Sequence, residues 1–309
     1  MKQDAYEVQV PWVAATMRRV FGGWPHVRGV PRLLYLCRRL VFPSEAIFVD
    51  TPDGLPLTIN PNDYGQLMLF YFPYCPELRA LLADVLQPGD ICMDLGANVG
   101  VLTAAMAQLV DSRGLVIAVE ANPAVTGLLL NTVNHCYLEQ VCVVQAGIAG
   151  KVGTGRLVFP PEGFSESVEV SETSDAGYAV RLVTVDALVE ELAPGRAPDL
   201  IKVDVEGSEV GLLESMGKTL ARGARPMLLV EFHPEKCLRR MGNAETIRKR
   251  LWEMGYSERR VERAGAGYRL CYDLLRPVGH ENLLFAMQDH LRIRPKLAAC
   301  WGQGNRHRY

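Results

Sequence analysis

Residues 91–100, ICMDLGANVG, join a short apolar run to a loop that contains two glycines. The run carries Asp94 near its end, Gly96 and Gly100 follow, and the next stretch, VLTAAMAQLV, is typical of a buried helix. Glycine lets the backbone turn tightly and approach a ligand closely. Because open α/β sheets bind small molecules at the carboxyl ends of their strands, this stretch predicts a small-molecule site after one strand of a parallel sheet.

The loop also distinguishes between two classes of ligand. A dinucleotide needs Gly-x-Gly-x-x-Gly so that its pyrophosphate rests on backbone N–H groups, and here Asn98 stands where the middle glycine would be. Asp94 would repel a pyrophosphate, but its charge suits a ligand with an ammonium and a sulfonium group. We therefore expect S-adenosylmethionine as the cofactor, and a nicotinamide-dependent dehydrogenase is disfavoured.

A second acidic residue stands at the end of the next apolar run. Glu120 lies in AVEANP, 20 residues after Gly100, where a carboxylate can accept hydrogen bonds from both ribose hydroxyls. The alternative is a solvated acid at a strand end, which is disfavoured beside the Asp94 loop. The adenine is then expected near the end of the third run, around Gln145 and Ala146.

Strand-like and helical segments alternate through the middle of the chain. The runs ICMDLG, LVIAVEA, VCVVQA, DLIKVDVEG and MLLVEFHP are separated by helical stretches, which predicts βαβ units and a parallel sheet. GYRLCYDLL and NLLFAMQ would complete the sheet. Residues 151–180 interrupt the alternation with GRLVF and YAVRLVTV, which predict a hairpin-like insertion near the mouth of the sheet.

The N-terminal part has a different character. Residues 8–44 contain six arginines and no acidic residue. The pieces PWVAATMRRVF and RLLYLCRRLVF mix apolar and basic residues, which indicates peripheral contact with an anionic membrane or a lipid-linked substrate. The alternative is an ordinary solvated helix face beside a buried one. IFVDTPDGLPLTIN then predicts two short strands around a Pro-Asp-Gly turn.

Composition limits the remaining choices. With 49% apolar residues, 22% charged residues and a net charge of −2, the chain has no overall attraction for nucleic acid. Its eight cysteines include no CxxC pair, so we expect reduced cysteines in a core. We see neither a secretory signal nor a bilayer-spanning apolar run, and we expect a cytoplasmic protein that is membrane-associated at most.

Charged residues alternate with apolar ones in the fourth run. Lys202, Asp204 and Glu206 share one face of the strand, and charges in a central parallel strand are costly unless they are paired. One interpretation is a structural network in which Lys202 neutralises a carboxylate such as Glu231. Asp204 and Glu206 lie nearer the carboxyl end, where a substrate would enter, and a functional role is favoured for them.

His233 stands at the end of the fifth run, before Pro234. Histidine commonly accepts protons near neutral pH, so His233 or Asp204 is the expected general base, while Glu206 and Glu209 would shape the acceptor pocket. The alternative for His233 is a packed turn residue. A divalent metal on these four side chains is a disfavoured alternative, and we expect no metal.

As a set, these motifs resemble the FkbM family of methyltransferases. The resemblance rests on DLGANVGVLT at 94–103, EANP at 120–123, Asn131, Asn134, IKVDVEGSE at 201–209, EFH at 231–233 and NLLF at 282–285. It covers roughly residues 50 to 285. It implies a class I methyltransferase fold, which is a Rossmann-like, mostly parallel seven-stranded sheet with helices on both faces. The cofactor-binding residues expected on this basis are Asp94, Gly96, Ala97, Asn98, Gly100, Glu120, Asn122 and Ala146.

The expected organisation is an N-terminal helical and strand extension (1–88), a methyltransferase domain (89–289) and a basic, loosely held C-terminal tail (290–309). The resemblance implies O-methylation of a hydroxyl on a small molecule, sugar, glycolipid or natural product. No Asn-Pro-Pro-Tyr-like motif follows the fourth run, and such a motif would favour an amine acceptor. N- or C-methyl transfer on the same core and a non-catalytic binding module remain the alternatives.

Overall fold

The computed structural model describes residues 10–24, 27–158, 169–171, 177–205, 209–221, 225–232, 244–265, 267–271 and 281–303. Within these ranges the strands are β1 (Ile47–Asp50), β2 (Pro56–Ile59), β3 (Ile91–Leu95), β4 (Leu115–Glu120), β5 (Val141–Gln145), β6 (Gly147–Ile148), β7 (Gly153–Val158), β8 (Glu169–Ser171), β9 (Tyr178–Val183), β10 (Leu200–Val203), β11 (Met227–Phe232), β12 (Ser257–Ala264), β13 (Gly267–Cys271) and β14 (Glu281–Ala286). The helices are α1 (Trp12–Phe21), α2 (Val30–Val41), α3 (Tyr64–Tyr71), α4 (Pro76–Val85), α5 (Val101–Val110), α6 (Pro123–His135), α7 (Val185–Leu192), α8 (Glu209–Ser215), α9 (Gly217–Ala221), α10 (Ala244–Glu253), α11 (Gln288–Ile293) and α12 (Pro295–Gln303).

The main sheet of the described residues has the order β13-β12-β14-β11-β10-β3-β4-β5. Its five strands β5, β4, β3, β10 and β11 are parallel. The strands β14, β12 and β13 extend it in antiparallel fashion beyond β11. The mostly parallel α/β sheet expected from the sequence is confirmed, with eight strands where seven were expected.

β12 is not predicted from the sequence, because five of its eight residues are charged. The structure pairs these charges. Glu258 forms an ion pair with Arg248 of α10, and Arg260 lies 2.5 Å from Glu262 on the same strand. Ion pairing and strand hydrogen bonds thus compensate for a composition that contains only one large apolar residue, Val261.

Helices cover both faces of the main sheet. On one face the strands pack against α7, α8, α9 and α10, and on the other against α4, α5 and α12. Cys92, Leu200 and Leu229 belong to the second cluster. Because side chains alternate along a strand, Asp94, Lys202 and Glu231, each two residues further on, lie on that same face near the carboxyl ends of three adjacent strands.

The segment that interrupts the alternation forms a separate small sheet with the order β6-β9-β7-β8. β7 and β9 pair antiparallel, with Gly153 opposite Leu182 and Leu157 opposite Tyr178. The hairpin-like pairing expected from the sequence is confirmed.

The N-terminal residues pack onto the main domain. β1 and β2 pair antiparallel around the expected Pro-Asp-Gly turn, and the N–H group of Thr58 donates to Thr132 Oγ1 of α6 at 2.9 Å. α1, α2 and α3 share an apolar cluster with the start of α5. The sequence analysis did not predict α3 and α4. None of the helices in the described residues is both long enough and apolar enough to cross a bilayer.

The expectation of a loosely held tail after Asp289 is wrong for residues 290–303. They form most of α11 and all of α12, and Leu297 and Trp301 are buried against the sheet. The guanidinium of Arg294 is 3% exposed and lies 2.8 Å from Asp90 Oδ2 at the start of β3. A buried ion pair and an apolar helix face therefore anchor this segment.

Candidate functional site

A cavity of about 260 Å³ opens at the carboxyl ends of β3, β10 and β11. Its polar lining comes from the strand ends and from the loop between β3 and α5. Its apolar lining comes from that loop, α5, and the N-terminal segment. The lining residues are Gly65, Gln66, Leu69, Tyr74, Leu78, Asp94, Gly96, Ala97, Asn98, Val99, Val101, Leu102, Lys202, Asp204 and Glu231.

The loop between β3 and α5 needs its glycines. Gly96 has a φ of +82°, and a Cβ there would lie 1.8 Å from the carbonyl oxygen of Asp204. Gly100 has a φ of +94°, and its Cβ would lie 2.5 Å from Leu129 Cδ1. Asn98 also occupies the left-handed region, which asparagine tolerates better than most residues. The loop therefore lies so close to the end of β10 and to α6 that a side chain at Gly96 or Gly100 would collide with them. Three of its residues also adopt left-handed backbone conformations.

A buried ion network lies beneath the loop. The strand register places Lys202 beside Asp94, and Lys202 Nζ lies 3.3 Å from Asp94 Oδ1 and 3.4 Å from Asp204 Oδ2. The ammonium also donates to the carbonyl oxygen of Gly96 at 3.1 Å. Thr103 Oγ1 donates to Asp94 Oδ2 at 2.6 Å. One lysine therefore joins two strand ends and the loop.

The charge of this network is unbalanced. Burial lowers the pKa of Lys202, but Asp94, Asp204 and Glu231 outweigh it and hold that pKa above the ordinary lysine value. Lys202 is thus an ammonium at neutral pH. Three carboxylates and one ammonium give the described lining a formal charge of −2. Glu231 was the sequence-based example of a carboxylate that Lys202 would neutralise. Lys202 forms ion pairs with Asp94 and Asp204, and the charge of Glu231 also raises the pKa of Lys202.

Glu120 lies on the other side of the loop, at the end of β4. Its Oε2 accepts from the N–H group of Asn98 at 3.0 Å, and its Oε1 accepts from that of Asn122 at 2.8 Å. Burial raises the pKa of this carboxyl, and the two N–H donors oppose the rise. A carboxylate has about four acceptor positions, so Glu120 keeps capacity for further donors after fixing the loop.

Residues 94–258, more than half of the chain, match the family described as Methyltransferase FkbM domain. The chain belongs to the FkbM methyltransferase family. The resemblance seen in the sequence is confirmed by this match, and the mostly parallel α/β sheet is the kind of fold that the resemblance implies.

Curated relatives are similar over part of their length. Protein-L-isoaspartate O-methyltransferase 1 of Archaeoglobus fulgidus is 28% identical over 44% of this chain and 53% of its own length. Hexuronic acid methyltransferase AglP of Haloferax volcanii is 24% identical over 51% of this chain and 62% of its own length. The chain thus spans between about half and two thirds of these relatives. The crystal structure of methyltransferase FkbM from Methylobacillus flagellatus KT aligns with a TM-score of 0.42 and 13% identity, over 66% of this chain and 48% of that one.

The expected site residues of this FkbM-family chain fall into two groups. Asp94, Gly96, Ala97, Asn98 and Asp204 line the cavity. Glu120, Asn122 and Ala146 cluster behind the loop instead. Ala146 is buried and its N–H group donates to the carbonyl oxygen of Glu120 at 3.1 Å. The side chain of Asn122 caps α6 by accepting from the N–H group of Ala124 at 3.1 Å. Asn98 connects the groups, because it lines the cavity and its N–H group binds Glu120.

Part of the expected catalytic set lies outside the described residues. His233 and Glu206 belong to that part, and Glu209 begins α8 with a side chain that is not described. Within the described ranges, no group of three or more histidine, cysteine and acidic side chains could hold a metal ion. Of the expected catalytic residues, Asp204 lies within the described ranges.

The sequence analysis missed two contributions to the site. Thr103 fixes Asp94 from the first turn of α5, and it lay within the quoted family motif without an assigned role. Gln66 and Leu69 of α3 and Tyr74 close the cavity from the N-terminal side. The signal for α3 is Asp63, whose carboxylate caps the helix by accepting from the N–H group of Gln66 at 3.0 Å.

Proposed function

We propose that this chain transfers a methyl group from S-adenosylmethionine to a hydroxyl oxygen of a small molecule, sugar, glycolipid or natural product. The observation that carries the proposal is the position of Asp204. Its carboxylate follows the central strand β10, lines the cavity beside Gly96 and is held by Lys202. A carboxylate in this place can accept the proton that a hydroxyl loses as its oxygen is methylated.

The cofactor is proposed to lie across the loop between β3 and α5. When bound, it supplies a methyl group on a positively charged sulfonium. Asp94 and Asp204 would provide the negative surface, and Gly96, Ala97, Asn98 and Gly100 would allow close approach of the backbone. Glu120 would accept the ribose hydroxyls, with Asn122 and Ala146 forming its surroundings.

The cavity charge favours a neutral acceptor. A formal charge of −2 repels a carboxylate and tolerates a hydroxyl, so a hydroxyl acceptor fits better than a free acid. The relatives described above are an isoaspartate O-methyltransferase and a hexuronic acid methyltransferase. The first name supports oxygen as the atom methylated. The second supports a sugar as one acceptor class, and a hexuronic acid carries hydroxyls beside its carboxyl group. We propose transfer to the hydroxyl rather than to the carboxyl group.

Asp204 is proposed as the general base that the described residues offer. Its side chain is partly accessible, and the ion pair with Lys202 keeps it aimed at the loop. His233 remains the second hypothesis for this role. Glu206 and Glu209 are proposed to shape the acceptor pocket, in line with their places near the end of the fourth run.

The test uses purified protein, S-adenosylmethionine labelled in its methyl group, and a metabolite and lipid extract as the source of acceptors. We expect a labelled product that survives mild alkali, because methyl ethers are stable where methyl esters hydrolyse. Asp204→Asn should lower turnover by about a hundredfold or more, the range of a general base, with cofactor affinity within about threefold of the parent. Asp111→Asn changes a carboxylate that directly follows α5, pairs with Arg113 and lies outside the cavity lining, and it serves as the matched control.

Four results would contradict the proposal. Alkali-labile label would identify a carboxyl acceptor, and label on nitrogen or carbon would identify a different acceptor atom. Normal turnover in Asp204→Asn would remove this residue from the base role and favour His233. Absence of heat in a calorimetric titration with S-adenosylmethionine would indicate a non-catalytic module.

A further inference from the structure

The helices α1 and α2 expose apolar faces. In α1 the exposed residues Trp12, Ala15, Thr16, Arg19 and Val20 recur at helical spacing and form one stripe. In α2 the exposed residues Arg32, Leu33, Leu36, Arg39 and Leu40 do the same. Trp12 is 79% exposed and Leu40 is 90% exposed. An ordinary surface helix presents polar residues on this side.

The exposed apolar residues are concentrated in this region. Of the fourteen large apolar side chains that are exposed in the described part of the chain, seven lie between residues 12 and 40. They are Trp12, Val20, Trp24, Val27, Leu33, Leu36 and Leu40. Single exposed apolar residues are normal, but a concentration of this kind marks an interaction surface.

The arginines of the region divide into two sets. Arg18 donates to the carbonyl oxygen of Asp50 at 2.5 Å and stacks on Phe70, and Arg38 stacks on Tyr35 at 3.9 Å, so both support the fold. A second set is exposed beside the apolar residues and consists of Arg19, Arg28, Arg32 and Arg39. Within the described residues, none of that second set forms an ion pair. Residues 8–44 also contain no acidic residue.

We infer that the exposed faces of α1 and α2, with Trp24, Val27 and Arg28 between them, form a docking surface for an anionic lipid bilayer. Tryptophan and leucine enter the headgroup boundary, and exposed arginines attract anionic headgroups. A second copy of the chain would bring like charges together, and nucleic acid would leave the leucines without partners. The mixture of apolar and basic residues fits a bilayer best.

The surface is adjacent to the cavity described above. Leu69 of α3 lines that cavity, and the next residue, Phe70, contacts Arg18 of α1. One helix therefore separates the docking surface from the site. The docking surface contains none of the residues that line the cavity, so the inference stands whether or not the acceptor is a hydroxyl.

The test is sedimentation of the full chain with phosphatidylcholine vesicles, with and without added phosphatidylglycerol. We expect binding to the anionic vesicles that decreases as salt rises. Arg32→Gln with Arg39→Gln should weaken binding about 25-fold, from about fivefold per charge. Leu36→Ser with Leu40→Ser should weaken it by about tenfold or more. Val152→Ser and Lys249→Gln alter equally exposed residues elsewhere and should bind as the parent does.

Tryptophan quenching by brominated lipid tests the same surface in the unmodified protein. The chain has four tryptophans, and Trp12 and Trp24 should be quenched on binding while Trp252 and Trp301 are not. Trp12→Phe with Trp24→Phe should therefore abolish the quenching. Several outcomes would overturn the inference. Absence of vesicle binding, or equal binding to neutral and anionic vesicles, would exclude an anionic bilayer. Quenching that survives Trp12→Phe with Trp24→Phe would place the contact elsewhere. Self-association that Leu36→Ser with Leu40→Ser removes would indicate a second copy of the chain, and tighter binding to duplex DNA than to vesicles would indicate nucleic acid.

Discussion

Replacing Lys202 by methionine should destabilise the protein strongly and in a pH-dependent way. Lys202 is 6% exposed, and its ammonium lies 3.3 Å from Asp94 and 3.4 Å from Asp204. The substitution keeps the apolar stem and removes the charge. Removing one partner of a buried ion pair costs about 3–5 kcal/mol, because the other charge is left uncompensated. We expect a loss of about 3 kcal/mol or more at pH 7, measured by urea unfolding. Lys249→Met, at an exposed site, should change stability by less than about 0.5 kcal/mol.

The pH dependence identifies the cause. In the parent, the pKa of Lys202 is raised, so its contribution is fully present below the ordinary lysine pKa and is lost only as pH rises through the raised value. Between pH 5 and pH 7 that contribution is constant. In the variant, clustered carboxylates without a cation have raised pKa values, so they become protonated as pH falls. The deficit of the variant should therefore shrink from pH 7 to pH 5.

A double-mutant cycle separates the ion pair from general damage to the core. Lys202→Met combined with Asp94→Asn should lose less stability than the sum of the single changes, by about 1 kcal/mol or more. A deficit below about 1 kcal/mol, a deficit that is equal at pH 5 and pH 7, or additive single changes would refute the network as the reason why Lys202 is buried.

Two further predictions concern the loop and the C-terminal helices. Gly96→Ala should weaken the calorimetric affinity for S-adenosylmethionine by about tenfold or more, because a Cβ there strains a left-handed residue by ~1–2 kcal/mol and collides with the carbonyl of the residue after β10. Gly127→Ala, on α6 with open space around it, should leave that affinity unchanged, and parental affinity in both variants would argue against the loop as the site. Arg294→Met should cost about 3–5 kcal/mol in urea unfolding through loss of its buried contact with Asp90, with unchanged cofactor affinity, and a cost below about 1 kcal/mol would contradict that role.

The parallel sheet could be predicted because its signals are local. A parallel strand of such a sheet is a mainly apolar run, as in β4 and β5, and in β3, where Asp94 is the one charged residue. The loop glycines were also predictable, since a left-handed turn that touches a neighbouring strand accepts few other residues. The hairpin of β7 and β9 followed from two strand-like runs around a polar stretch.

Other features depend on contacts between distant parts of the chain. The ion pair between Lys202 and Asp94 depends on the register between β10 and β3, which no local pattern specifies. β12 is a strand because Arg248 and Trp301 cover its charged side chains, the second by stacking under Arg259 at 4.7 Å. The sequence of α12 was interpreted as part of a basic tail, but in the structure its apolar face packs against α4. These features follow from tertiary packing. Local composition alone predicts neither a strand at β12 nor a packed helix at α12.

The cofactor site and the helices that close the cavity come from different parts of the chain, which indicates the part that selects the acceptor. The family match begins at Asp94 and covers the loop, the strand ends and Glu120, which together suit a shared cofactor. The segment before it supplies the helices that close the cavity, with Gln66, Leu69 and Leu78 among its walls. That same segment carries the exposed apolar and basic faces of α1 and α2. Residues 10–88 thus line the cavity and also carry the proposed docking surface. We therefore expect substitutions in these residues to alter acceptor preference while the affinity for the cofactor stays constant.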